Sequence, residues 1–299
     1  MSQAIDIIPD LHADPERLAR TLDRVGTQTR LAFLGDFIDA PEQAHGSADD
    51  AGVLERVRDL VERDRAIAIM GNHELNAILF HRTRGDGAPM RARDDKNCAQ
   101  HKSFLDRFGT GTSEATAWTQ WFLETLPLWR ELDGLRLVHA CWSPADIACI
   151  AQRRPDGFLK PEDLEEVGEK TTPFASAVDR LLTGPELSLP DGHTFIDAHG
   201  HERSEMRVAW WREGARSWRE LALTNIDPAR LPDGEPDRLS EHLITYPAEA
   251  SPVLFGHYKM VGAPVLEQAN AACLDYPAAP CVYQWRGEKH LSAQGLLTV

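Results

Sequence analysis

Five short segments each place metal-ligating side chains directly after an apolar run. "AIDIIPDLH" offers Asp10 and His12, "LAFLGDFID" offers Asp36 and Asp39, "AIMGNHE" offers Asn72 and His73, "LRLVHA" offers His139, and "VLFGH" offers His257. Carboxylate, imidazole and amide oxygen together suit manganese, iron or zinc better than calcium, which prefers oxygen throughout, and better than a thiolate site. Singly, each segment has a plainer reading. Asp36 or Asn72 is an ordinary helix N-cap after a strand, and a lone His139 or His257 is an ordinary hydrogen-bonded core histidine. A chain of this composition contains about one Asp-x-His by chance, and "TFIDAHG" repeats the pattern with Asp197 and His199. Order separates the two: Asp10 and His12 lead a regular series of strand, ligand and helix, whereas Asp197 lies beyond it.

The elements that must position these residues follow from that series. After "AIDII", Asp14 and Pro15 suit the N-cap and first turn of a helix carried by "ERLARTLDRV". "RLAFL" precedes a helix expected from about Ser47 to Arg63, with Ser47 and Asp50 spaced like a capping box. "RAIAIM" is a third strand and "GLRLVHA" a fourth of the same series. This alternation predicts an α/β fold with a largely parallel or mixed sheet covered by helices. Between the third and fourth strands, Trp118, Trp121, Phe122 and Leu126 recur at helical steps, marking a helical cap or insertion over about 90–130. Towards the C-terminus "MRVAWW", "PVLFGH", "NAACLDY" and "CVYQW" read as strands of a second sheet packed on the first, and prolines and acids from Asn225 to Glu249 as a long loop.

With 299 residues and 42% hydrophobic content, the chain can bury a large core and is read as a single domain, 1–299. A formal charge of -15 argues against a broad nucleic-acid surface or an anionic membrane as partner. A small phosphate ester is compatible with it, because bound cations invert the local field. Five cysteines, Cys98, Cys141, Cys149, Cys273 and Cys281, form no C-x-x-C pair, so reduced thiols and a cytoplasmic location are expected. No secretory leader and no run of transmembrane length is evident.

In the order "DLH", "GDFID", "GNHE", "VHA" and "FGH", the chain resembles the calcineurin-like metallophosphoesterases, and within them the phosphoprotein phosphatase branch with its bacterial members. The resemblance spans Asp10 to His257 and continues in "NAACLDY" and "VYQWRGE". It implies a sandwich of two mixed β-sheets flanked by α-helices, with two divalent metal ions at the strand ends, manganese foremost and iron or zinc as alternatives. Carried over position by position, it makes Asp10, His12 and Asp36 ligands of one metal and Asp36, Asn72, His139 and His257 ligands of the other. Asp36 then bridges, as a two-oxygen carboxylate can.

The chemistry so implied is hydrolysis of a phosphate monoester, from a phosphoprotein or a small molecule, by direct attack of a metal-bridging hydroxide. His73 resembles the family's proton donor to the leaving oxygen, and Asp39 the carboxylate that orients it and keeps it cationic. Three positions depart from the family's pattern. Ala40 stands where an arginine grips the substrate phosphate, leaving Arg82, Arg203 and Arg207 as candidates for that contact. Ala13 replaces a glycine. Lys259 in "GHYK" stands where many nucleases and phosphodiesterases carry a second histidine, which points away from those branches. "FGHY" and "GNHE" also resemble the bacterial diadenosine tetraphosphatases, so dinucleoside polyphosphate hydrolysis is the alternative; specificity is expected from the Trp118 to Trp142 region and the C-terminal loops, whose aromatic rings could stack on a nucleobase but are expected first to fill the core. A non-catalytic metal-binding scaffold is the alternative of another class.

Overall fold

The computed structural model describes residues 4–26, 28–190, 192–196, 202–223, 226–236 and 245–299. Its first sheet begins with β1 (Ile5–Ile8), β2 (Arg30–Phe33) and β3 (Ala66–Ala68), parallel to one another and joined by helices α1 (Pro15–Val25) and α2 (Asp50–Glu62). Helix α3 (Asn72–Phe80) leaves the turn after β3, and α4 (Asp95–Gln100), α5 (Lys102–Phe108) and α6 (Ser113–Thr125) fill the expected helical span. Strands β4 (Trp129–Leu132) and β5 (Leu135–Val138) form a hairpin, after which come α7 (Pro144–Ala151), α8 (Leu164–Glu169) and α9 (Pro173–Thr183). Four short strands follow: β6 (Glu186–Ser188), β7 (Phe195–Ile196), β8 (Glu202–Arg203) and β9 (Glu205–Arg207). The chain closes with β10 (Val253–Phe255), β11 (Ala271–Cys273), β12 (Cys281–Trp285) and β13 (Leu296–Thr298).

Two mixed sheets result, of order β13-β12-β1-β2-β3 and β11-β10-β5-β4. Three strands therefore change sheet relative to the sequence expectation, β9 of "MRVAWW" pairing with β6 in a separate two-stranded sheet. "CVYQW" pairs antiparallel with β1 in the first sheet, and "LRLV" pairs parallel with β10 in the second. Both are apolar runs buried almost throughout, and such a strand carries no period that reveals its neighbour. "MRVAWW" ends as a strand at Arg207, and Trp210 and Trp211 are buried against Phe255 instead.

Asp14 caps α1 as expected, accepting from Arg17 N at 2.8 Å. The capping box at Ser47 does not form. Helix α2 starts three residues later, where Asp49 accepts from Gly52 N at 2.9 Å, and Ser47 closes a short 3-10 turn. Trp118, Trp121, Phe122 and Trp142 are buried in the main core, so they fill space between α3, α6 and the sheets rather than line a binding surface. All five cysteines are free thiols. Asp197 and His199, the decoy pair, lie outside the described residues, as does part of the 225–249 loop.

Candidate metal centre and proton donor

The carboxyl ends of β1, β2 and β3 in one sheet and of β5 and β10 in the other deliver every candidate ligand to one place, the usual position for a ligand site in α/β folds. Backbone bonds tie these ends together. Leu11 and His12 both donate to Asp36 O at 2.9 Å, Ala13 N donates to Phe37 O at 2.7 Å, and Gly256 N donates to His139 O at 2.8 Å. Glu74, buried on the first turn of α3, accepts from Asp36 N and Phe37 N at 2.8 Å each and from Gly71 N at 3.0 Å. One carboxylate thereby locks the "GDFID" and "GNHE" turns to each other. Gly35 and Gly71 explain the two motif glycines: a Cβ on Gly35 would overlap the Gly71 backbone, and one on Gly71 would overlap Asp36. Only paired glycines allow this approach.

The floor is also strained. Of the eight non-glycine residues with positive φ among those described, six are His12, Ala13, Asp36, Asp39, His257 and Lys259. Such conformations persist where the surroundings over-determine them, and they gather at functional sites. Ala13, at φ 56°, accounts for the family's preference for glycine there.

The donor atoms converge. Asn72 Oδ1 lies 3.0 Å from His139 Nε2 and 2.8 Å from His257 Nδ1, and Asp36 Oδ2 lies 3.4 Å from His139 Nε2. Donor atoms of Asp36, His139 and His257 fall within 4.8 Å of one another, and so do those of His12, Asp36 and His73. Asp10 stands beside the second group, 4.0 Å from His12 Nε2, while its carboxylate accepts from His257 N at 3.0 and 3.3 Å. His139 is oriented by Leu34 O at 2.7 Å from Nδ1 and His12 by Ile38 O at 3.3 Å from Nδ1, the outer contacts that fix a ligating imidazole.

These residues fit a cationic guest. Asp10, Asp36, Glu74 and Asp275 are 0–2% exposed and crowd one another; burial and their acidic neighbours raise Asp10, Glu74 (to about 7) and Asp275, as expected of carboxylates that lack a compensating cation. His12 Nε2 is buried with no hydrogen-bond partner, an available lone pair in a polar site. Burial and the neighbouring His73 push His12 down to about 3, leaving it neutral as a ligand must be. Burial opposes charge on His139, yet Asp36 and Asp10 hold it up to about 10, and the anionic field that does so is the one a dication would meet. Asp36 itself is driven up by burial and more strongly down by His139 and His73, so it stays ionised.

His73 stands beside this set. Its Nδ1 meets Asp39 Oδ2 at 2.7 Å and its backbone N–H donates to Asp36 Oδ1 at 3.0 Å, which leaves Nε2 on the cavity side, 3.9 Å from Asp36 Oδ2. Burial disfavours its charge, but Asp36 and Asp39 outweigh that and raise its pKa. A cavity of about 480 Å³ opens over Asp36, Asn72, His73 and His257, within the range of small-molecule sites. Its walls carry Arg203, Arg207 and Lys259, together with Glu186, Glu202 and Glu205. Arg82 is elsewhere, bonded to Gln120 on α6. Lys259 is a cation that the sequence pattern does not announce, because "GHYK" presents it first as the absence of a histidine.

The model of the calcineurin-like phosphoesterase family matches residues 4–257. The chain belongs to this family. Calcineurin-like phosphoesterases are hydrolases of phosphoester bonds that use divalent metal ions, and the two mixed sheets flanked by helices are their fold. Among solved structures, the cold-active protein-tyrosine phosphatase of a psychrophile, Shewanella sp., is similar at 11% identity over 100% of this chain and 80% of that one, with a TM-score of 0.51. A further structure of a cold-active protein tyrosine phosphatase gives 14%, 100%, 79% and 0.53 in the same order. A protein serine/threonine phosphatase from Saccharomyces cerevisiae gives 13%, 100%, 79% and 0.47. At these identities the likeness concerns the fold. No curated protein matches the sequence. No helix among the described residues is long and apolar enough to cross a membrane.

Proposed function

We propose that this calcineurin-like phosphoesterase is a dinuclear phosphomonoesterase in which Asp10, His12 and Asp36 hold one divalent cation and Asp36, Asn72, His139 and His257 the other. The mixed oxygen and imidazole donors favour manganese, with iron or zinc as substitutes. Bound there, the cations supply a water of lowered pKa and positive charge for the phosphoryl oxygens. His73 acts as general acid. With Nδ1 held by Asp39, the proton of the imidazolium that faces the cavity is on Nε2, and it passes to the ester oxygen as the P–O bond breaks. Asp39 stays ionised, because burial is outweighed by its two histidine partners, and so holds the imidazolium in place. Arg207 and Lys259 grip the phosphate in place of the arginine missing at Ala40, with Arg203 alongside.

The observation that carries this reading is the convergence of Asp36, His12, His139 and His257, with Asn72 and Asp10 against them, beside a histidine whose outer nitrogen is already fixed by a carboxylate. A monoester is favoured over a dinucleoside polyphosphate because Glu186, Glu202 and Glu205 share the cavity wall, and a chain of phosphates would have to lie against them. The test is a screen of manganese-loaded protein against para-nitrophenyl phosphate, phosphopeptides, diadenosine tetraphosphate and a bis-aryl phosphodiester. Monoesters are expected to turn over fastest, with His73→Ala lowering kcat by about 10²- to 10⁴-fold. Faster turnover of the tetraphosphate would move the assignment to anhydrides. No turnover by metal-loaded protein would leave a scaffold.

A further inference from the structure

Asp39 has two oxygens, and each meets an imidazole. Oδ2 meets His73 Nδ1 at 2.7 Å, and Oδ1 meets His101 Nδ1 at the same distance. His101 is 4% exposed, stacked on Phe104 with centroids 4.6 Å apart and planes 16° apart, and flanked by Phe80. Its other nitrogen, Nε2, lies 3.2 Å from His81 Nε2, and His81 Nδ1 lies 3.3 Å from the Gly111 amide nitrogen.

One amide sets the direction of this whole chain. The Gly111 N–H can only donate, so His81 Nδ1 accepts. A ring that accepts at Nδ1 is neutral, in keeping with burial, which pushes His81 down to about 4, and its single ring proton is on Nε2. That N–H donates to His101 Nε2, which must then be bare, and His101 carries its proton on Nδ1, directed at Asp39. The carboxylate thus receives a second donor of its own besides His73.

We propose that His101, backed by His81, is a positioning residue for proton donation: its Nδ1–H occupies Asp39 Oδ1 and leaves Oδ2 as the one oxygen aimed at His73. A buried carboxylate oxygen without a donor costs free energy, and a carboxylate held at one oxygen only can rotate. Occupying Oδ1 removes both defects, so the His73 ring keeps the direction in which its Nε2 faces the leaving group. The inference rests on the reading of His73 as general acid.

That dependence selects the experiment, which compares two esters hydrolysed by the metal-loaded protein. Dinitrophenyl phosphate has a leaving group that needs little protonation, whereas a phosphoserine peptide has one that needs it fully. His101→Phe keeps the stacked shape without the donor, and His101→Asn restores an N–H near Nδ1. His101→Phe is expected to lower kcat on the peptide about tenfold or more, with at most about a threefold loss on the dinitrophenyl ester and little change in KM. His101→Asn should recover most of the loss. Equal losses on both esters, no loss, a change in KM alone, or failure of asparagine to rescue would overturn the role. Nitrogen-15 spectra of the unmutated protein give a reading independent of any variant: the Nδ1–H form of His101 is expected, and a bare Nδ1 would refute the chain. An unmutated protein inactive on both esters would overturn the reading of His73 and this inference with it, whereas active protein with equal losses overturns the inference alone.

Discussion

On the floor of the cavity, Asp10, His12, Asp36, Asn72, His139 and His257 leave strands that belong to one continuous hydrophobic core, whereas the wall residues Glu186, Glu205 and Arg207 stand on β6 and β9, which pack on a separate small cluster of Leu187, Met206, Val208, Trp218 and Leu221. Among the floor groups Asp10, Asp36, His139 and His257 are buried, and His12, Asp36 and His257 are held in strained backbone. Wall groups are half exposed and paired loosely, as Arg207 Nε is with Glu186 at 3.6 Å. Rigid placement is what charge stabilisation and proton transfer require. A wall on its own core can change its side chains without disturbing that placement. On the proposed function the reaction belongs to the floor and substrate choice to the wall, and each substitution below tests one side of that division.

The largest effect belongs to the centre of the floor. Asp36→Asn keeps the shape and the acceptor for His73 N–H but removes the charge that both halves of the donor set share. Loss of both cations by elemental analysis and a fall in kcat of at least ~100-fold are expected. Retention of two equivalents of metal would break the bridging assignment and with it the idea of a single integrated floor.

A smaller, different effect is expected at the wall. Arg207→Ala at the wall, and Lys259→Met where a cation reaches the same cavity from the strained turn after His257, should each raise KM for a monoester about tenfold while kcat changes much less, because their contacts to phosphate exist before as well as during the reaction. Glu186→Gln, which releases Arg207 from its acidic neighbour, should lower KM and favour the more highly charged substrates. Steady-state kinetics on a monoester and on diadenosine tetraphosphate measure both. A loss confined to kcat would place these cations with the floor instead.

The same division sets how much could be read in advance. The candidate ligands at the floor follow strands in chain order, so "DLH", "GDFID", "GNHE", "VHA" and "FGH" announce themselves, and Glu74 three residues after Gly71 already marks a held turn. Which sheet each strand joins is not written locally, because β12 and β5 are buried apolar runs whose partners are set by the packing of the whole core. Nor are contacts between distant segments. His101 reaches Asp39 across 62 positions and His81 reaches His101 across 20, and each alone looks like an ordinary histidine in a helical region. Lys259 was hidden for another reason: compared with a family pattern, it registers as a missing histidine before it registers as a cation.

The smallest effect tests the support beneath the floor. Asp50, 2% exposed at the start of α2, accepts from Asp39 N at 3.1 Å and so steadies the carboxylate that holds His73. Burial and the charge of Asp39 push it up to about 6 from an ordinary value of 3.8. The folded protein therefore binds this proton more tightly than the unfolded chain does. Asp50 penalises the fold least below pH 4, increasingly as pH rises from 4 to 6, and fully above 6. Asparagine keeps the acceptor for Asp39 N–H and carries no charge, so Asp50→Asn should flatten this decline and exceed the parent in stability at pH 8 by on the order of 1 kcal/mol. Urea unfolding at pH 4.5 and pH 8 measures both slopes. Parallel slopes would mean that Asp50 reaches water and belongs, despite its position, with the loosely held groups of the wall.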